Sequence, residues 1–247
     1  MQGVIQLLPD DLASQVAAGE VVERPANVVK ELVENSIDAG ATTIEVSIQR
    51  GGLGLIRVQD NGSGMNAIDA EACLQRHATS KLKSSDQLDQ ILTMGFRGEA
   101  IPSIASVSQF RLVTKQKGQL EATEVRVNGG SAPEIKSTSS ADGTVIEVKE
   151  LFYNLPARRK FLKSERTESA HIEHQLRLHA LSQPQIRWVF RRDTKTVFDI
   201  IASQDIRTRI ASIHGKEVAN QVTRIEPYQH LEYEAVSYTH LTLPTIA

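Results

Sequence analysis

The chain has 247 residues, with 28 Lys+Arg against 30 Asp+Glu, 40% hydrophobic and 23% charged residues, and a net charge of −2. That balance describes a soluble globular protein long enough for one large domain or one and a half ordinary ones, and it excludes a surface that grips nucleic acid all over, so any DNA contact has to be local. The single cysteine, Cys73, excludes an internal disulfide and reads as a small buried hydrophobe; no apolar run reaches 18 residues and no basic n-region opens the chain, so a cytoplasmic protein without a membrane span is expected.

The first informative element is VVKELVENSIDAGAT, Val28 to Thr42. Val28, Val29, Leu32, Val33 and Ile37 sweep one half of a helical cylinder, as expected for a helix packed on a sheet. Glu31, Asn35 and Asp38 fall at i, i+4 and i+7, within a sector of roughly 60° beside that stripe. Two carboxylates and an amide at the edge of a buried face suit a magnesium-and-water site with one acid able to take a proton; a solvated polar face is the plainer alternative. Thr43 to Arg50 and Leu55 to Asp60 then alternate as strands around the glycine turn Gly51-Gly52, a helix laid against a hairpin.

Asp60-Asn61-Gly62-Ser63-Gly64 closes the second strand. Its glycines let a ligand approach the backbone, and Asp60 offers a carboxylate to an amino group. Met94-Gly95-Phe96-Arg97-Gly98-Glu99-Ala100 precedes a helix-like IPSIAS, where unpaired N–H groups and the dipole would favour phosphate. Neither a GxxxxGK[ST] loop nor a GxGxxG fingerprint occurs, so a nucleotide would be held some other way. Further strands are expected from Phe110, Ala122, Thr144 and Ile186, with Ser131 to Gly143 as a turn-rich loop. Ser164 to Ser182 reads as a helix capped by Ser164. Its His171, His174 and His179 do not converge and are expected on the surface. Arg158, Arg159, Lys160, Lys163 and Arg166 form a basic cluster for DNA phosphates or plain solvent.

Helices mixed with antiparallel hairpins favour an α/β (α+β) two-layer sandwich, helices on a mixed, mainly antiparallel sheet, over a doubly wound parallel sheet. The pattern changes near Ile201, where SQDIRTRIASIHG starts a new unit; only about 45 residues follow, too few for a second core, so the chain reads as cut.

The order ELVENSID, DNGSG, GFRGEA and GTVIEV resembles the ATP-binding fold shared by gyrase B subunits, heat-shock chaperones and sensor kinases. AAGEVVERPANVVKELVENSIDAGAT, RHATSK, GFRGEA and FYNLPARRKFL narrow the resemblance, over the first 235 residues, to the MutL family of bacterial DNA mismatch repair proteins. The resemblance implies a magnesium-dependent ATPase that hydrolyses slowly and acts as a switch between mismatch recognition and downstream repair. Glu31 would be the general base and Asn35 the magnesium ligand. Asp60 would accept from the adenine amino group, with Thr144 helping through water, and Gly62 and Gly64 would shape the pocket floor. Thr79, Ser80 and Lys81 with Gly95, Phe96, Arg97, Gly98, Glu99 and Ala100 would form the lid over the phosphates. Asp38 and Glu34 are left with structural roles.

The same resemblance divides the chain into an ATP-binding domain, 1–201, the start of a second, transducer domain, 202–235, and a foreign tail, 236–247. The family's second domain supplies a lysine to the γ-phosphate, for which no counterpart is found here. Implied partners are ATP, a second copy in an ATP-dependent dimer with Gln2 to Glu20 as its arm and Lys81 to Gly98 as its lid, DNA held weakly, and the mismatch-recognition protein, strand-nicking endonuclease and helicase of the pathway. No membrane is implied, and nucleoid association accompanies action. The alternative is an ATP-gated interaction module with negligible hydrolysis, against which Glu31 stands, since a binding module needs no base. A sensor kinase would need a phosphoacceptor histidine region, and GFRGEA speaks against it.

Overall fold

The structure, a computed structural model, describes residues 22–81, 93–95 and 98–223, and the backbone of 228–230, 233–235 and 240–241. The expected arm at Gln2 to Glu20, residues 82–92 of the lid with Phe96 and Arg97, and most of 236–247 lie outside the described residues.

Helix α1 (Pro25–Asp38) starts with proline, whose missing N–H costs nothing in a first turn. Its Val28, Val29, Leu32 and Val33 are all but fully buried against the sheet, while Ile37 is partly buried on the same core. Strands β1 (Thr43–Gln49) and β2 (Leu55–Asp60) form the expected hairpin, with Ile44 opposite Asp60. Burial alternates strictly along both: Ile44, Val46, Ile48, Ile56 and Val58 enter the core. The reversal between them is a short 3-10 turn, Arg50–Gly52.

After α2 (Ala67–Ala72) and α3 (Ala100–Ser106) come β3 (Gln109–Lys115), β4 (Ala122–Asn128), β5 (Glu134–Thr138) and β6 (Gly143–Lys149). Then follow α4 (Pro156–Phe161), α5 (Glu165–Ser182), β7 (Arg187–Arg192) and β8 (Lys195–Ile200). The eight strands form one sheet in the order β5-β4-β3-β6-β2-β1-β7-β8. Only β1 and β7 pair in parallel; the other neighbours in this sheet are antiparallel. Helices α1 and α5 pack on one another, and Ile172, Leu176 and Ala180 of α5 join the core. This is the expected layered architecture. Ser164 caps α5 as expected, its hydroxyl accepting from Thr167 N.

Two expectations are corrected. The loop expected over Ser131 to Gly143 contains strand β5, which pairs with β4 at the sheet edge. Four of its five residues are exposed, so it has no buried face to write an alternating pattern into the sequence. His179, expected on the surface, is buried: it follows Ile172 and Leu176 on the inner face of α5, tilts against Trp188 with ring centroids 6.2 Å apart, and lies 3.5 Å from Glu34. His171 and His174 are exposed.

Helices α6 (Ile206–His214) and α7 (Lys216–Gln221) gather Ile210, Ala219 and Val222 into a small cluster that also touches Leu181 of α5. Arg209, fully buried, donates to the carbonyls of Pro184 and Ile186, and Arg177 of α5 donates to Ile213 O at 2.9 Å. Among the described residues no helix is long and apolar enough to cross a membrane.

Candidate functional site

The polar edge of α1 and the loop after β2 face the same space. Asp60 ends β2 buried, its Oδ1 accepting from Gly62 N and its Oδ2 from Ser36 Oγ, both at 2.9 Å. Burial pushes the Asp60 carboxyl above the usual carboxylate range, against hydrogen bonds from Gly62, Ser36 and the Thr144 backbone that oppose the rise. Thr144, opposite Asp60 across β2 and β6, places its Oγ1 3.0 Å from Thr114 Oγ1, which also accepts from Met65 N.

The loop is clamped rather than loose. Asn61 Oδ1 accepts from the backbone of Thr42 and Thr43, its Nδ2 donates to Thr42 Oγ1, and Ser63 N donates to Ala39 O. A side chain at Gly62 would come within 2.8 Å of the Ala39 carbonyl. Gly64, at φ 64°, packs its α-carbon against the Lys115 carbonyl, so both its backbone angle and the space require glycine. Both glycines thus let main chains approach closely.

Further along α1 the contacts are made by long side chains. Lys30 Nζ lies 3.3 Å from Glu31 Oε1 and 3.2 Å from Glu34 Oε2. Burial works against the Glu34 carboxylate, but hydrogen bonds from His179 and Lys30 outweigh it and hold that carboxyl below its ordinary value. Glu34 is thus engaged by Lys30 and His179. Asp38 does more than expected. Its carboxylate accepts from Lys81 Nζ at 2.6 Å, Met94 N at 3.0 Å and Gly95 N at 3.2 Å, while the same Lys81 Nζ reaches Asn35 Oδ1 at 2.8 Å.

The two candidate phosphate segments also touch each other. His77, at φ 63°, puts Nδ1 3.4 Å from Glu99 Oε1, and Gly98 packs against the Ala78 carbonyl. Thr79 Oγ1 accepts from Lys81 N at 3.1 Å, Ser80 is exposed, and Ala100 opens α3. The fold thus gathers both groups at the C-terminal half of α1: Asn35 and Asp38 hold Lys81 and Gly95 on its polar edge, while Ser36 on its inner side holds Asp60 beside Gly62 and Thr144; Glu31, one turn earlier, pairs with Lys30. Ser36 was missed by the sequence reading; it sits one residue from Asn35 on the inner side of the helix, and only its contact with Asp60, 24 residues away, reveals its use. Cys73 is partly buried against the core, where burial pushes its thiol up to about 12.

The basic cluster is partly committed elsewhere: Arg158 lies 5.6 Å over the Phe152 ring and Arg159 pairs with Glu150 at 3.3 Å, whereas Lys160, Lys163 and Arg166 are exposed. Among the described residues no three His, Cys, Asp or Glu side chains converge as a metal cage.

The chain is similar to known proteins over most of its length. A family described as histidine kinase-, DNA gyrase B-, and HSP90-like ATPase matches residues 23–152. The DNA mismatch repair protein MutL of Akkermansia muciniphila is 57% identical over 222 residues, covering 90% of this chain and 35% of the relative. MutL of Geotalea daltonii is 50% identical over 218 residues, covering 88% and 36%. The chain thus spans about a third of the length of these curated relatives. Among solved structures, the Aquifex aeolicus MutL ATPase domain complexed with ADP superposes with a TM-score of 0.63 at 33% identity, over 78% of this chain and 69% of that one. The N-terminal domain of a DNA repair protein gives a TM-score of 0.71 at 25% identity, over 86% and 63%.

Proposed function

The chain belongs to the MutL ATPase domain family, within the histidine kinase-, gyrase B- and HSP90-like ATPases, and from that premise we propose that it is the ATP-binding and hydrolysing switch domain of a mismatch repair protein. The observation that carries the reading is Asp60: a buried carboxylate at a strand end, held by Gly62 and by Ser36 of α1, the neighbour in sequence of Asn35. A carboxylate has about four acceptor positions, so Asp60 keeps capacity for an adenine amino group after its bonds from Ser36, Gly62 and the Thr144 backbone. Thr144 lies across the strand pair to assist through water. Gly62 and Gly64 let the base lie close to the main chain.

The polar edge of α1 suits the phosphates. Asn35 Oδ1 is a hard oxygen donor that already faces a cation in the Lys81 ammonium, which Asp38 anchors, and this fits Asn35 to magnesium. Asn35 would hold the ion, which when bound neutralises phosphate charge. Glu31, 28% exposed and steadied by Lys30, would orient a water and take its proton. Thr79, Ser80 and Lys81 with the segment Gly95 to Ala100, including Phe96 and Arg97, would line the phosphates. Glu31 beside Asn35 supports a hydrolysing switch over a module that only binds.

On this reading residues 1–201 form the ATP-binding domain and 202–235 begin the transducer domain. A second copy, DNA, and the recognition, nicking and unwinding proteins of the pathway are proposed partners of the whole protein, acting in the cytoplasm. Calorimetry with a nonhydrolysable ATP analogue tests the adenine pocket: Asp60→Asn removes a charge-assisted bond of roughly 1.5–3 kcal/mol and should weaken binding about tenfold or more. Unchanged affinity would place the base elsewhere.

A further inference from the structure

We infer that Lys81 is a resident cation that occupies the metal position at Asn35 until a nucleotide arrives, and that Asp38 anchors it there; the inference rests on the nucleotide reading above. Lys81 Nζ bridges Asn35 Oδ1 at 2.8 Å and Asp38 Oδ2 at 2.6 Å, with the Lys81 and Asp38 side chains only 18% and 8% exposed. Asp38 also accepts from Met94 N and Gly95 N, so its carboxylate is fixed from two directions before the ammonium is counted. A side chain at Gly95 would approach Nζ to 3.1 Å, so the residue covering the ammonium is one that leaves it room.

A divalent cation on Asn35 Oδ1 needs the same lone pairs at about 2.1 Å. Two positive charges that close repel strongly in a sheltered site, so the ammonium and the metal are alternatives. Without phosphate, Lys81 holds the position because Asp38 stabilises it there. A triphosphate gives Lys81 a new anionic partner and brings the metal its remaining oxygen ligands, so the exchange becomes favourable only when both arrive together. Asp38 is thus a positioning residue: it acts through Lys81 and makes metal loading conditional on nucleotide.

The test uses the nucleotide-free chain and Mn²⁺, followed by the electron paramagnetic resonance of the unbound ion. Lys81→Met uncovers Asn35 Oδ1 and should bind Mn²⁺ about tenfold more tightly than the wild type, a gain lost again in Lys81→Met/Asn35→Ala. A second arm retains Lys81 and loosens its anchor: in Asp38→Asn, a near-isosteric change, the Mg²⁺ concentration for half-maximal binding of a nonhydrolysable ATP analogue should fall about threefold or more. A purely structural Asp38 would lower the melting temperature and leave that midpoint in place. Equal Mn²⁺ affinity in wild type and Lys81→Met, or an unmoved Mg²⁺ midpoint in Asp38→Asn, overturns the exchange while leaving the nucleotide reading intact. If the wild type binds no analogue at any Mg²⁺ concentration, the nucleotide reading falls and the exchange with it.

Discussion

The two sides of the last turns of α1 are built differently, and the difference separates recognition from switching. On the Asp60 side, the ligand-facing groups are held by main chain and short side chains: Gly62 N, Ser36 Oγ, the Asn61 clamp and the approach of Gly64 to Lys115. Such contacts have few rotatable bonds to order, and they present one fixed pattern to a base. On the Asn35 side, the contacts come from Lys81, a long side chain with three rotatable donors, and from backbone of a segment distant in sequence. Those contacts can be exchanged for others at modest cost. A fixed side suits reading; an exchangeable side suits responding.

The largest expected effect would break the comparison on its exchangeable side. Glu31→Ala should leave analogue binding nearly intact while steady-state hydrolysis falls about 10²–10⁴-fold, the usual contribution of a positioned base. If affinity fell in step with turnover, Glu31 would belong to the binding framework and the two sides would not differ in kind.

On the fixed side, Ser36→Ala leaves the buried Asp60 carboxylate short of one donor, at a cost of about 1–3 kcal/mol. Denaturant unfolding should register that loss in the nucleotide-free chain, and calorimetry should show weaker analogue binding. A variant as stable as the wild type would mean that water replaces the hydroxyl and that this side is softer than it looks.

The pH dependence sharpens the same point. Burial raises the folded-state pKa of Asp60 above its unfolded value, so the folded protein takes up this proton more readily. The neutral form therefore favours folding at low pH, an advantage lost as pH rises through the raised value, whereas accepting an adenine amino group calls for the ionised form. Analogue affinity should accordingly begin to fall on acidification above the ordinary aspartate range, before global stability does. An affinity flat down to that range would show that Asp60 is not the acceptor.

The smallest effect lies outside both groups, at Glu124 on β4. Burial disfavours the Glu124 carboxylate, but Lys136, Arg111 and Arg126 outweigh it and hold its pKa down to about 2 from 4.5. Here the sign is the reverse: the stabilisation is present above the ordinary carboxylate range and lost as pH falls toward 2. Because its three partners are 35%, 53% and 59% exposed, Glu124→Gln should cost only about 1 kcal/mol in denaturant unfolding and leave analogue affinity unchanged. A change in affinity would tie β4 to the site.

Much of the molecule could be read in advance because local chemistry decides it. The stripe of α1, the β1–β2 hairpin, Ser164 as a cap and the DNGSG loop each depend on residues within a few positions of one another, where side-chain period, φ freedom and capping act directly. The failures share the opposite property. Strand β5 exists because β4 offers it a partner, since Glu134 to Thr138 bury no face of their own. His179 is buried because Trp188 and Glu34 come to meet it, although its spacing from Ile172 and Leu176 already put it on the inner side.

The sequence by itself determined that one helix edge carries Glu31, Asn35 and Asp38, because helical period alone sets which residues share a side. It determined equally that a glycine-rich loop follows a strand ending in Asp60. Only the tertiary structure decided what those groups meet. Ser36 reaches Asp60 across 24 residues, and Lys81 reaches Asp38 across 43. Nothing in local spacing encodes such pairs, since they arise when the sheet, packed under α1, brings distant segments within hydrogen-bonding distance and burial then makes each unpaired charge costly.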